Sequence, residues 1–477
     1  MFHTLILKEI HNHILSFRFV VTSLLLLIVV PATVLVLTND YVRQLDDYSR
    51  RQVEIERYLE RYAHFNRLGN IIRPSQPPVP FMTLVRGLSA EVDMDAFDND
   101  PLPVVFPLLD LTFIVAILFS LAALVFTYDS ISGEREDGTL KLMLANGLPR
   151  AKILLAKIVG GMATLLIPFL ISTAVGLFII LLNPRVAWKG ADFGALGGIL
   201  LGVVVYGGLF TALGTLISTR HRSSASSIMT SLFVWVLAVL VVPNLSPYAA
   251  SFFRPTPSPT KVNREIFRLT QDERDVLGRR LSGEKTAAVL KDHPILAGIE
   301  RMSEKDIKNT MMKDPLFAKA YDVYRKAGQK GWDEANAMQS AKAEVLQKDL
   351  DRKEKAQTGL AVLLSMASPL ADFTYLATDL SNTGMRNQHQ FKALSDGWDQ
   401  VYSKYTERRM DELKKANPTA DVWNIAADVH DMPRFSYKEE DLAARLKGTL
   451  PAFAVLAVLA LAAFWGAYFS FRGYDAR

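Results

Sequence analysis

A chain of 477 residues that is 50% hydrophobic and 22% charged, with a mean hydropathy of +0.15, is too apolar for an ordinary water-soluble protein and too charged to consist of membrane spans alone. Its net charge of +5 is a weak basic bias that membrane flanks explain as well as nucleic acid does, and no nucleic-acid partner is assigned. With no cysteine, disulfides, thiolate metal sites and cysteine nucleophiles are excluded.

Residues 1–17 read as an amphipathic interfacial helix: Phe2, Leu5, Ile6, Ile10, Ile14 and Phe17 share one face, and Lys8, Glu9, His11 and Asn12 oppose it. A hydrocarbon layer about 30 Å thick needs about 20 apolar residues in a helix. Phe17–Leu37 is the first of six runs that qualify, with 18–37 assigned as span one. That run is long and no small-residue cleavage pattern follows it, so it is expected to stay as an anchor. Beyond it, in 38–108, Tyr41, Leu45, Tyr48, Gln52, Ile55, Leu59 and Tyr62 form a heptad-like seam, predicting a charged helix that projects outward and packs on a partner helix. Arg73–Pro80 then ends it as a stiff, proline-rich stretch.

Span two, 109–128, leads into a charged loop, 129–157. Here Gly138 permits a bend, Thr139 can cap a short helix, and Leu140, Met143 and Leu144 make an apolar stripe at i, i+3 and i+4. Gly147 stops that helix and Pro149 starts the next. The pattern predicts a short helix across the mouth of the bundle, beside Glu134, Glu136 and Asp137, able to dock in a groove on another protein. Spacing leaves the alternative open that these charges simply solvate a loop.

Spans three to five fill 158–242. On span four, Gly194, Gly198 and Gly202 form a tandem small-xxx-small face, suited to close packing either within one subunit or at a dimer seam. None of the six spans carries Asp, Glu, Lys, Arg or His near its centre. Ion-coupled transporters keep such residues at mid-membrane depth, so a proton-driven pump is disfavoured, although carbonyl and hydroxyl Na⁺ sites escape this test. Energy for transport would then come from elsewhere.

The long insertion 243–448 opens with the proline cluster Arg254–Thr260. Val262, Ile266, Leu269, Val276, Leu277 and Leu281 then recur at helical spacing. With the charged stretch Glu334–Gln357, this predicts one mainly α-helical domain of about 200 residues. Within it, Thr358–Thr378 is apolar enough to tempt a seventh span, but Pro369 and Asp372 interrupt it. It is expected to be interfacial or re-entrant, because a seventh span would put Arg472 and Arg477 on the other side from the remaining basic loops. Span six is 449–471, followed by the tail 472–477.

Orientation follows from Lys and Arg in short loops. Lys8 and Arg18, then Arg135, Lys141, Arg150, Lys152 and Lys157, then Arg220 and Arg222, then Arg472 and Arg477 fall on one side, against Arg185 and Lys189 on the other. The expectation is cytoplasmic termini, a cytoplasmic 129–157, and extracytoplasmic 38–108 and 243–448. The fold class is an all-α membrane protein with six transmembrane helices, an N-terminal amphipathic interfacial helix and a mainly α-helical extracytoplasmic domain.

Chemistry beyond that loop is sparse. His11 and His13 point to different faces, while His293, His389 and His430 lack partners at ligand spacing; Met311 and Met312 read as packing. No catalytic, cofactor or metal site is assigned. Nor does a Gly-x-x-x-x-Gly-Lys-Ser/Thr loop occur, so the chain does not cradle ATP by that device.

The segment Tyr128–Gly161, "YDSISGEREDGTLKLMLANGLPRAKILLAKIVGG", resembles the signature loop of the type-2 ABC exporter permeases. Glu134, Glu136, Gly138, Thr139, Leu140, Pro149, Arg150 and Lys157 match it, and Arg135, Met143 and Leu144 belong to the same candidate coupling element. The amphipathic start, the six-span plan, the "FRGYDAR" end, "VPFMTLVRGLSAEV" (Val79–Val92) and "LSMASPLADFTYL" (Leu364–Leu376) extend the likeness. It is strongest toward the branch that includes the permease of nitrous-oxide reductase maturation, from whose small members the long 243–448 insertion departs. The resemblance implies a coupling helix that contacts a separate ABC ATPase subunit holding ATP and Mg. It also implies a second permease copy, identical or different, in a lipid bilayer identified as the bacterial inner membrane. The function implied is export or extrusion of an unidentified substrate. The alternatives are an ATP-driven mechanotransmitter acting on a periplasmic or envelope partner without transport, and a membrane scaffold without ATP linkage.

Overall fold

In hydrocarbon a backbone must satisfy its own polar groups, so a long apolar run survives there as a helix. In the computed structural model, which describes residues 2–60, 62–87, 109–145, 149–417 and 422–473, six helices are long and apolar enough to cross a membrane. The protein is an all-α membrane protein. A half-buried helix α1 (Phe2–Ile14) is followed by α2 (Phe17–Leu59), capped by the Ser16 hydroxyl, which accepts from the Phe19 N–H at 3.3 Å. At 43 residues α2 is about 65 Å long, roughly twice the hydrocarbon thickness, and its apolar half gives way to a charged half after Leu37.

The seam on α2 packs against a more varied set of partners than a single helix. Tyr41 and Leu45 meet the cluster that holds Phe81 and Met82 of the short turn Pro80–Thr83, and the Gln52 amide donates to Ser75 Oγ at 3.0 Å. Ile55 and Leu59 join Phe65, Leu68, Trp398, Tyr405, Val429 and Met432 in a separate core. That core is formed with β1 (Tyr62–His64), α3 (Phe65–Ile71) and residues far along the chain; β1 pairs antiparallel with β2 (Ala426–Asp428), Tyr62 opposite Asp428. Strands of three residues are too short to display alternation, which is why the sequence hides them.

The remaining spans are α4 (111–127), α7 (Arg150–Leu182), α8 (Gly190–Arg220), α9 (Ser224–Phe253) and α15 (Leu442–Arg472), with α5 (Ser132–Glu136) and α6 (Thr139–Ala145) between α4 and α7. Both α4 and α9 contain a π-helical stretch, Ile114–Phe119 and Val236–Val241. Buried Tyr206, Phe119, Phe126, Phe169 and Phe210 fill the bundle.

Residues 243–448 do not cluster as one domain of about 200 residues. One compact unit is Asn244–Leu364, comprising α10 (259–292), α11 (Glu304–Lys313) and most of α12 (Pro315–Ser365), with its own core around Leu296, Ile299 and Phe317. Met311 packs on that core and Met312 is exposed. From Ser365 onward, α13 (Pro369–Leu380) and α14 (Met385–Ala416) belong with the spans. The physical reason is apolar surface: Phe373, Leu376 and Ala377 of α13 are buried among the span helices. Thr358–Thr378 is therefore no single straight span, since α12 ends at Ser365 and Pro369 starts a new helix.

Candidate functional site

Several charges in the 129–161 segment are tied to helix ends, while Asp137, Lys141 and Lys152 face solvent. A turn after α4 brings the Ile131 and Ser132 N–H groups onto the buried Ser218 hydroxyl, each at 2.9 Å. This seats α5 beside the end of α8, where the Arg135 guanidinium donates to the carbonyls of Thr219 (2.9 Å) and His221 (2.8 Å). Glu136 takes the opposite pole: its carboxylate accepts from Ser224 N at 3.2 Å and Ser224 Oγ at 2.6 Å, at the start of α9. A cation on the carbonyl end of one helix and an anion on the amide end of the next both follow the helix dipole. Arg150 makes the same kind of contact with α15, donating to the carbonyls of Phe471 and Arg472.

Lys157 lies deeper. Its ammonium is 3% exposed and sits 2.8 Å from Glu134 Oε1 and 3.2 Å from Glu9 Oε1. Glu134 also accepts from the Thr139 hydroxyl at 3.1 Å, so one carboxylate joins α5, α6 and α7. Glu9 brings in α1, which lies so close on α7 that a Cβ at Gly160 would come within 2.7 Å of Glu9 Cβ. Glu9 was placed on the polar face of α1 by sequence. It is instead three residues from Ile6 and four from His13, and so shares the face that turns toward α7 and α4. His13 packs on Phe126 in a tilted arrangement with ring centroids 5.3 Å apart, and burial pushes its imidazole below the ordinary histidine range. On α2, Arg18 pairs with Asp129 at 2.8 Å and donates to the Tyr128 hydroxyl and the Val125 carbonyl.

Gly138 adopts φ +72° between α5 and α6, a left-handed turn that disfavours any side chain. It redirects α6 so that its apolar stripe faces inward. Leu140 is 0% exposed in the core, with Met143 and Leu144 packed against the same cluster. The stripe therefore anchors α6 to its own chain. The outward side carries Lys141, Ala145 and Leu142, the last 67% exposed. Pro149 precedes α7 and its carbonyl accepts from Lys152 and Ile153 N–H. Gly147 lies outside the described residues.

The structure brings Glu134, Arg135, Glu136, Thr139, Leu140, Arg150 and Lys157 to one end of the bundle, together with Glu9, Arg18 and Ser218, which sequence reading did not select. Gly194, Gly198 and Gly202 lie elsewhere, on the face of α8 that meets α13 and α15 within the chain: a Cβ would come within 2.9 Å of Leu380 at Gly198 and 2.8 Å of Leu376 at Gly202. Gly202→Val is accordingly expected to cost about 1–3 kcal/mol by overpacking, read as a lower melting temperature of the purified chain. Among the described residues no group of three or more His, Asp or Glu is placed to hold a metal.

Comparison with known proteins bears on this geometry. A family profile described as ABC-2 family transporter protein matches residues 3–472. The chain is 36% identical over 124 residues to the "Probable ABC transporter permease protein NosY" of Stutzerimonas stutzeri, covering 26% of this chain and 45% of that protein. It is 34% identical over 132 residues to the protein of the same name from Pseudomonas aeruginosa, covering 28% and 48%. The chain thus spans a little under half the length of the curated relatives it matches.

Proposed function

The chain belongs to the ABC-2 transporter family, and from that premise we propose that it is the membrane permease subunit of an ATP-driven exporter or extruder. A separate ATPase subunit, holding ATP and Mg, docks on the outward side of α6. The observation that carries this reading is the mounting of α6. Glu134, Arg135, Glu136, Arg150 and Lys157 fasten it and its flanks to the ends of α8, α9, α15 and α1, so a push on α6 is transmitted to most of the bundle at once. Leu142 and Lys141 offer an apolar and a charged contact to the pushing partner. The permease names of the two NosY relatives support the same reading.

In this arrangement the end of the bundle with α5 and α6 faces the cytoplasm with both termini, 254–364 and 381–441 lie outside a bacterial cytoplasmic membrane, and a second permease copy completes the pair. Asn244–Leu364 is a unit with its own core, and this favours a second use of the same drive: acting on an envelope protein while nothing crosses the bilayer.

The test is reconstitution of the permease with an associated ATPase in vesicles. ATP turnover that depends on the intact 140–148 segment, together with movement of lipid, peptide or solute, is expected. An ATPase that stays bound and fully coupled after removal of 140–148 would overturn the docking assignment. Turnover without transport, together with loss of partner activity on deleting 261–357, would select the mechanical reading.

A further inference from the structure

A carboxyl group lies inside the bundle without a partner. Asp372, in the first turn of α13, is 0% exposed, and neither of its oxygens has a hydrogen-bond partner among the described residues. The contacts of α13 fix its depth. Ser368, just before it, donates through its hydroxyl to the Ala238 carbonyl at 2.6 Å, at the midpoint of α9. Phe373 packs on Tyr206 with ring centroids 5.0 Å apart, at the midpoint of α8. At its other end, the Leu380 carbonyl accepts from Arg445 near the start of α15. The helix therefore runs from mid-bundle back toward the end opposite α5 and α6, and Asp372 sits at its deep end.

That deep end meets the π-helical stretches of α4 and α9. Such stretches release backbone carbonyls and recur at functional sites, and in lipid the released groups must find donors. They do: Ala116 accepts from Ser120 Oγ (2.6 Å) and the Tyr206 hydroxyl (2.8 Å), and Ala238 from Ser368. Trp235 of α9 reaches across to Ser120 at 2.9 Å. Every polar group named there is satisfied except Asp372. An isolated ionised carboxylate in such surroundings is costly, and the neutral acid is the stable form.

Among the described residues no neighbouring charge offsets this cost. Residues 111–119 of α4 and Val236–Val241 of α9 contain no ionisable side chain. From α8 comes Tyr206, committed to Ala116; from α15, Arg445, committed to Leu380; from α14, Arg386, paired with Glu440 at 2.9 Å. Along α13 itself stand Tyr375, bonded to Ser365, and Asp379.

We propose that Asp372 is a proton-binding site at mid-depth of the bundle, neutral in the closed arrangement described here and ionised when α13 withdraws from the bulged stretches of α4 and α9. On opening, the carboxyl O–H bond breaks, the proton passes to entering water and the carboxylate is left hydrated. Closing reverses both steps. No Asp, Glu, Lys, Arg or His lies near the centre of the six spans, so the re-entrant helix supplies the carboxyl they lack.

The purified full-length chain in nanodiscs of zwitterionic lipid tests this without any ATPase, so its outcome is separate from that of the transport reading. Stability contributed by the neutral acid is present at low pH and lost as pH rises through the carboxyl's pKa. The wild-type melting temperature is therefore expected to fall by several degrees more than that of Asp372→Asn between about pH 5 and about pH 9. Asp372→Glu, which keeps a titrating group, should retain the slope. In infrared difference spectra the wild type should show a protonated-carboxyl band that Asp372→Asn removes. Equal pH slopes for wild type and Asp372→Asn, or no such band at low pH, would overturn the proposal.

Discussion

Lys157→Met is expected to destabilise the chain by about 3 kcal/mol and to disconnect α6 from α1 and α7. Methionine fills most of the lysine's volume, so the loss is chiefly electrostatic. The ammonium is 3% exposed and neutralises Glu134 and Glu9 at 2.8 and 3.2 Å. Removing it leaves two carboxylates facing each other in a poorly solvated pocket, and breaking a buried ion pair from one side costs roughly 3–5 kcal/mol. Glu9 and Glu134 retain some access to water, which places the expected value at the low end. Denaturant or thermal unfolding of the purified chain measures the stability term. Adding Glu9→Gln and Glu134→Gln to the same variant should recover part of it, because the stranded charges are then gone, while ATP-dependent activity of the assembled complex stays lost. A single Lys157→Met variant that melts with the wild type would show the triad to be energetically idle.

How much of this was legible in the sequence depends on the range of each interaction. The spans were readable because an apolar run of 20 residues is a local signal, and six apolar helices stand where the runs occur. The turn at Gly138 and the short helix after it were readable for the same reason. What escaped was pairing across distance. Nothing near Glu9 in the chain announces Lys157, 148 residues away, nor does Arg135 reveal that its partners are carbonyls at Thr219 and His221. The stripe Leu140, Met143 and Leu144 was correctly apolar, but periodicity states only that a face will be buried. The left-handed turn at Gly138 settles that it is buried inside its own chain. Likewise Pro369 and Asp372 were visible as interruptions, while the enclosure of Asp372 arises from α8, α9 and α15 folding around α13.

That inward stripe separates two leucines only two residues apart, and the separation is a sharp test of the docking proposal. Leu140→Ala should cost about 2–5 kcal/mol in stability, since it removes a fully buried side chain and leaves a cavity at the root of α6. Leu142→Glu should change stability by no more than about 0.5 kcal/mol, because the side chain is 67% exposed. Its effect should fall on the partner: a truncated or charged anchor at the centre of an interface costs about 2 kcal/mol or more, equivalent to a roughly 30-fold weaker association. Size-exclusion co-elution and ATP turnover with the ATPase subunit read the second effect, and melting of the permease alone reads the first. The two variants must therefore diverge in opposite assays. If Leu142→Glu binds and couples as the wild type does, the outward side of α6 is not where the ATPase pushes, and a different surface at that end of the bundle must receive the force.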